Sequence, residues 1–374
     1  MRLKRIKDSS FILLLAFLNV FAMSGAAELF NYNNVMAYLS IPLFLWGVNK
    51  RQQVIRFSLF EKTMYVLLLV VMILGILMEY NADASQLINL IVTFGFPLWC
   101  TLFARIPWEE HDFYKLGIYG GVLGILLCVL FLPGRSFSGW NPNSPILVVP
   151  ILFFSLSCIA CSNTSKKKRN LSMTIIFVSS VIVIELLGNR SSLLSIFLFA
   201  AFVVLYRQLT KRNLCWIALI IIALNVLIPY GYETINSMSL FDSLHDMASS
   251  MIEEKKEGGF NGREDLWTFS IWKIKENPFF GEFGVSPIYP HNLSIDLQLA
   301  FGWLGWLAFA WMAIVVLFRT FREHSPYNIF PLAFLCLVFL NTFENVLACC
   351  DYFVVFSYVL PAVALRMKYP KKVK

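Results

Sequence analysis

Residues 166–212 read KKKRNLSMTIIFVSSVIVIELLGNRSSLLSIFLFAAFVVLYRQLTKR, and this stretch decides the fold. Two apolar runs, 171–187 and 191–206, stand on either side of Gly188-Asn189-Arg190. Each is about as long as a membrane crossing, roughly 17–25 residues. Lys166-Lys167-Lys168-Arg169 precede the pair, and Arg207 with Lys211-Arg212 follows it. An apolar hairpin with its cations at the open end is placed by the positive-inside rule. Both runs cross, the basic ends stay in the cytoplasm, and the Gly-Asn-Arg connection lies outside.

The same reading extends along the chain to about twelve apolar spans by length and flanks. They are 10–27, 33–48, 62–79, 85–104, 114–132, 145–161, 171–187, 191–206, 214–230, 293–318, 329–346 and 351–366. The other basic clusters are the N-terminus, Lys50-Arg51 with Arg56, Arg319 with Arg322, and the tail from Lys368 to Lys374. With these spans all six clusters fall on one side, the cytoplasmic one. The expected fold is an all-α polytopic integral membrane protein of the bacterial inner membrane, with both termini cytoplasmic. Residues 1–230 carry spans one to nine, 231–292 form a periplasmic loop, and 293–374 carry the last three spans and a basic tail. Residues 2–27 have the look of a signal peptide, ending in Ser24-Gly25-Ala26-Ala27, but the apolar stretch is long enough to span and is read as the first span. No internal repeat is evident, which weakens a transporter built from two related halves.

Composition agrees. The chain of 374 residues is 58% hydrophobic and 14% charged, whereas soluble domains run near 45–50% and about 25%. A net charge of +8 in a soluble protein would suggest nucleic acid. Here the cations are topology signals, so the expected surroundings are membrane lipids and no nucleic acid. Most of the eight cysteines lie in apolar runs. Cys158-x-x-Cys161 and Cys349-Cys350 read as small apolar helix residues rather than zinc or redox sites.

The long outer loop divides in two. Its first half carries Asp242, His245, Asp246, Glu253 and Glu254 and ends in Glu257-Gly258-Gly259. In its second half Leu266, Phe269, Trp272 and Ile274 recur at helical spacing until Pro278, which predicts an amphipathic helix over 263–276. Its aromatic stripe suits the membrane interface; packing against the bundle is the alternative.

Three basic residues stand at outer span boundaries: Arg190, Arg263 and His291, with Arg135 a fourth candidate. Arginine forks onto phosphate oxygens, and Arg190 and Arg263 both begin helices whose terminal amides add to the charge. Such a pair suits an anion at membrane depth. The plainer reading pairs Arg190 with Glu185, an intramembrane carboxylate that needs a partner. His291 is of the residue type that most often serves as general base for a sugar hydroxyl. His245 reads as a solvated loop residue. No D-x-D pair lies outside, and Glu109-Glu110-His111-Asp112 falls on the cytoplasmic side. A reaction without metal or cofactor is therefore expected.

Four segments, in order, are similar to one family. They are Gly139-Trp140-Asn141-Pro142-Asn143, Gly188 to Leu193, Gly262-Arg263 with Trp267 followed by Asn277-Pro278-Phe279-Phe280-Gly281-Glu282-Phe283-Gly284, and His291-Asn292 followed by Gly302-Trp303-Leu304-Gly305. Together they resemble the O-antigen polymerase and ligase superfamily, membrane glycosyltransferases acting on undecaprenyl-pyrophosphate glycans. Asn189 stands where that family often has Ser or Thr. The resemblance implies a GT-C-like bundle and inverting transfer without a metal at the periplasmic face. Arg190, Arg263 and His291 would then be catalytic, and Arg135, Asn141, Asn143, Gly262 and Asn292 would bind substrate. Donor and acceptor would both be undecaprenyl-pyrophosphate-linked glycans in a repeat-unit polymerase of O-antigen or capsule, served by a chain-length regulator. A ligase, with lipid A–core as acceptor, shares the motifs. A lipid-linked glycan flippase and a non-catalytic assembly protein are the readings of other classes.

Overall fold

A computed structural model describes residues 9, 13, 59–78, 100, 103–106, 108–131, 144–206, 208–236, 263–283, 291–321, 325–342 and 357–368, apart from single positions such as 207. The protein is all-α and polytopic. Ten α-helices lie among the described residues: α1 Leu59–Met78, α2 Glu110–Phe131, α3 Ser144–Cys161, α4 Lys166–Leu187, α5 Arg190–Leu205, α6 Lys211–Asn236, α7 Arg263–Glu276, α8 Leu293–Thr320, α9 Ile329–Leu340 and α10 Val359–Lys368. Four stretches, Glu110–Leu130, Lys166–Leu187, Lys211–Gly231 and Leu293–Thr320, are long and apolar enough to cross a membrane. Val148–Cys161, Arg190–Leu205 and Pro326–Leu340 are shorter and equally apolar.

Burial sorts these helices into a centre and a rim. From Val148 onward α3 is wholly buried, and so is α9 apart from a half-buried Phe339. A helix apolar all round belongs in the middle of a bundle. The rim helices turn large apolar side chains outward: Val66 and Leu77 on α1, Ile175 and Ile182 on α4, Phe197 and Val204 on α5, Ile220 and Leu227 on α6. Water would not tolerate so continuous an apolar exterior, and lipid favours it.

Close approach rather than apolar burial holds α2 to α3, because in lipid packing must drive association. A Cβ on Gly117 would sit 2.4 Å from the Ile159 side chain, and one on Gly124 2.7 Å from Leu152. Ser155 Oγ donates to the Gly117 carbonyl at 2.5 Å across this seam. Helices α4 and α5 form the hairpin expected from sequence. Phe177 meets Phe197 at 5.9 Å, nearly equal distances from the Gly188 turn.

Helix α8 departs from the expected continuous span over 293–318. Gly302 has φ 65° and ψ −168°, which no helix accommodates. Trp306 Nε1 donates to Ser294 Oγ at 3.0 Å; in a straight helix those residues would be about 18 Å apart. The chain therefore folds back at Gly302, and α8 is two limbs, α8a (293–301) and α8b (303–320). Expectation placed His291 at the outer rim of a full span, but it stands at the foot of a half-length limb.

Two other spans differ. The one expected over 329–346 ends at Leu340, where Asn341 and Thr342 turn back onto Leu337 and Phe339. In the last span, expected over 351–366, the described helix is Val359–Lys368. Helix α6 continues past the boundary expected at residue 230 to Asn236. The expected spans 10–27 (apart from Leu13), 33–48 and most of 85–104 lie outside the described residues, as do residues 237–262 of the outer loop and the tail beyond Lys368.

Candidate functional site

At the α4/α5 turn, Gly188 adopts the left-handed conformation, φ 72°. A side chain there would crowd the next carbonyl. Asn189 then caps α5: its Oδ1 accepts the Ser192 amide at 2.8 Å and the Ser191 hydroxyl at 3.0 Å. Arg190 occupies the first helical position and is exposed. Among the described residues it makes no ion pair, and Glu185 is itself exposed on the last turn of α4. The expected Glu185–Arg190 pair does not form. Among the described residues, then, no carboxylate neutralises this cation at the N-terminus of α5.

The entry to α8a repeats the device at greater depth. His291 is left-handed, φ 52°, which a non-glycine residue adopts only where its surroundings enforce it. Asn292 follows as the cap, and its Oδ1 accepts the Ile295 amide at 3.0 Å. Its Nδ2 donates to the Thr342 carbonyl at 3.0 Å and the Asn225 carbonyl at 3.2 Å. The Leu293 amide bonds the Asn341 carbonyl at 2.8 Å. Asn225 Nδ2 reaches the Val338 carbonyl at 2.8 Å, one of the groups left without a helical partner where α9 stops. Two helix ends thus meet inside the protein, and three asparagines, 225, 292 and 341, satisfy them. Asn225 lies about 9 Å below Gly231, where the apolar part of α6 ends, at the helical rise. Water does not reach that depth freely, so every terminal amide and carbonyl needs a protein partner. Helix starts buried partway across a membrane are where discontinuous helices present amides to ligands.

Helix α7 rests on this assembly. Trp267, Ile271 and Ile274 pack against Ile295 and Leu299 of α8a, with Ile228 and Tyr230 of α6 beside them. This corrects the expected stripe. Ile274 belongs to the packed face, whereas Phe269 and Trp272 point outward as an aromatic pair 5.7 Å apart and Leu266 is half-buried. The turn after α7 plugs the break in α8. Glu282 N donates to the Leu299 carbonyl at 2.7 Å and Trp303 N to the Pro278 carbonyl at 2.8 Å. Asn277 Nδ2 closes the turn on the Gly281 carbonyl at 2.7 Å. A Cβ on Gly302 would lie 2.2 Å from Phe279 backbone, and one on Gly281 2.3 Å from the Leu299 carbonyl. The Asn-Pro-Phe-Phe-Gly and Gly-Trp-Leu-Gly segments are therefore two halves of one joint.

Of the residues singled out from sequence, Arg190, His291 and Asn292 are described in full. For Arg263 the backbone is described and the side chain is not; Arg135, Asn141, Asn143 and Gly262 lie outside the described residues. Asn292 is fully buried, and its side-chain amide bonds the backbone of Asn225, Thr342 and Ile295 beside His291. Sequence reasoning missed Asp296, Asn225 and Gln298, all buried. Asp296 is a carboxylate in the first turn of α8a, inside an apolar span. The rule applied to Glu185, that a charge at membrane depth marks function, would have found it.

Glu109, His111 and Asp112 offer three ligand atoms within 4.8 Å of one another at the start of α2. Tyr327, which bonds Glu110 at 3.1 Å, lies at this end too, with its hydroxyl pKa raised by burial and the Glu110 charge. The stacking of Lys168 over Tyr114 marks it as the end carrying the basic cluster of α4. It is thus the opposite end of α4 from Arg190.

Residues 175–282 match the family model described as O-antigen ligase. The matched segment runs from α4 to the turn that plugs α8, and so contains Arg190 and Arg263 and stops short of His291. A comparison with curated protein sequences returned no match.

Proposed function

Because residues 175–282 match the family model described as O-antigen ligase, we propose that the chain polymerises oligosaccharide repeat units carried on undecaprenyl pyrophosphate, at the periplasmic face of the bacterial inner membrane. That match supports the coarser statement, membrane-bound glycosyl transfer in O-antigen-type polysaccharide assembly. The observation that carries the finer one is the seat of His291: a left-handed residue, half-buried at membrane depth, fixed by the Asn292 network. Strain of this kind costs about 1–3 kcal/mol and collects at reacting groups.

In this reading the acceptor hydroxyl oxygen attacks the anomeric carbon of the donor glycan from the face opposite the pyrophosphate. The bond from that carbon to the phosphate oxygen breaks, undecaprenyl pyrophosphate leaves, and configuration inverts. The hydroxyl proton passes to His291. Arg190 and Arg263, each at a helix start, hold the pyrophosphate and stabilise the charge that grows on it. Asp296 supplies the counter-charge to the imidazolium from the next turn. No metal enters the scheme. The acceptor is the terminal sugar of a second lipid-linked unit, and a chain-length regulator would act on the growing product.

The test uses purified protein in proteoliposomes with undecaprenyl-pyrophosphate repeat units. Glycan ladders with release of undecaprenyl pyrophosphate are expected, and Arg190→Ala, Arg263→Ala and His291→Ala should abolish them while the protein stays folded. Normal ladders in all three variants would refute the assignment. In cells, loss of a polymerase leaves single repeat units on the surface lipid, whereas loss of a ligase removes the glycan altogether.

A further inference from the structure

Tyr230, Gln298 and Trp303 come together at the break in α8, on the outer side of the asparagine network. Gln298 is fully buried. Its Oε1 accepts the Tyr230 hydroxyl, and its Nε2 has no partner among the described residues. The rings of Tyr230 and Trp303 stack at 6.2 Å with 30° between their planes, and Trp306 meets Trp303 edge-on at 5.7 Å. All three rings are half-buried. Interfacial anchoring accounts for aromatic rings near a membrane surface. It does not account for an amide donor sealed from water with nothing to bond. Such a group is costly, and a protein keeps it where a ligand completes the bond.

We propose that Tyr230, Gln298 and Trp303 form a sugar-binding subsite that takes one pyranose of the lipid-linked glycan. An aromatic platform offers a face to the apolar C–H side of the ring, and the Gln298 amide offers N–H to a hydroxyl. None of the three residues is cationic, so the set suits a neutral sugar and not the pyrophosphate. Gln298 lies about 10 Å from His291 along α8a at the helical rise. The bound ring is therefore not the reacting one but a residue further along the glycan, and the subsite sets which repeat unit is accepted. The inference rests on the glycan-transfer reading above.

The probe is the lipid-linked repeat unit extracted from cells lacking this protein, together with the same glycan freed from lipid by mild acid. In proteoliposomes, Trp303→Ala and Gln298→Leu should raise KM roughly five- to tenfold with kcat within about twofold, and Trp303→Phe should recover most of the loss. Donor units capped at the terminal hydroxyl, assayed against a fixed acceptor, separate the two sources. A KM change confined to the capped donor assigns the subsite to the donor glycan, and one confined to the acceptor assigns it to the acceptor. The free glycan should also quench tryptophan fluorescence of the wild type and not of Trp303→Ala. Unchanged KM for both glycans in an active protein overturns the subsite and leaves the transfer reading intact. An inactive wild type overturns the transfer reading, and the fluorescence arm then decides the subsite alone: quenching lost in Trp303→Ala sustains it, and no quenching overturns it.

Discussion

The α4/α5 turn and the entry to α8a use the same backbone device for different ends. Each places a left-handed residue before a capping asparagine that accepts the amide three positions on. At the first, the left-handed residue is Gly188 and Arg190, the proposed pyrophosphate ligand, follows the cap. At the second, His291, the proposed base, is itself the left-handed residue. The first turn is local: among the described residues the Asn189 side chain bonds Ser191 and Ser192, and its backbone bonds Ile184 and Leu193. The second is held from afar, by α6 through Asn225 and by the end of α9 through Asn341 and Thr342. An arginine that binds an anion can be flexible, and a cheap turn suffices. A base, the role proposed for His291, must keep one geometry, and the strain and buried polar groups at this turn would hold it there.

The sharpest way to break this comparison is to exchange strain for glycine. His291→Gly should lower transfer by roughly 10²–10⁴, the range for a lost general base, while stability stays within about 1 kcal/mol because glycine tolerates the backbone. Gly188→Ala should do the reverse, costing about 1–2 kcal/mol of stability with transfer largely kept. Turnover on lipid-linked units and thermal melting in detergent measure the two axes. Equal losses of activity in both variants would show that His291 is a structural residue.

The next effect falls on the two caps. Asn292→Ala strands the Ile295 amide and the carbonyls of Asn225 and Thr342 at membrane depth, which should cost about 3 kcal/mol or more. Asn189→Ala removes a cap at the surface and should cost about 1 kcal/mol. A melting shift of similar size for both would mean that the Asn292 network is not load-carrying.

The two turns also differ in how far the sequence reveals them. Gly188-Asn189-Arg190 is legible because its physics is local: a left-handed glycine, a capping side chain and a cation, in order, between apolar runs. So are the membrane crossings and helix 263–276, whose signals are length and spacing. The fold-back of α8 is not. An apolar stretch over 293–318 is what a straight span looks like, and the break at Gly302 becomes intelligible only when the Asn277–Gly281 turn is seen filling it. The packed face of α7 was misread for the same reason: spacing gives a stripe, but the partner decides which stripe is buried. Asn225 and Asp296 stood in plain view within apolar spans. Their meaning depended on helix ends that no length argument places at mid-depth.

The smallest effect is also the most discriminating, since it asks the same substitution of both caps. Asn189→Ser should change stability by only a few tenths of a kcal/mol, because a serine oxygen accepts the Ser192 amide about as well, and transfer should be kept. Asn292→Ser preserves the same acceptor for the Ile295 amide but offers one hydroxyl in place of the amide that bridges Asn225 to Thr342. It should cost about 2 kcal/mol, and turnover should fall further than melting predicts, because His291 loses its fixed seat. If serine is as well tolerated at 292 as at 189, then capping alone holds His291, and the long-range tie through α6 and α9 contributes nothing to the reaction.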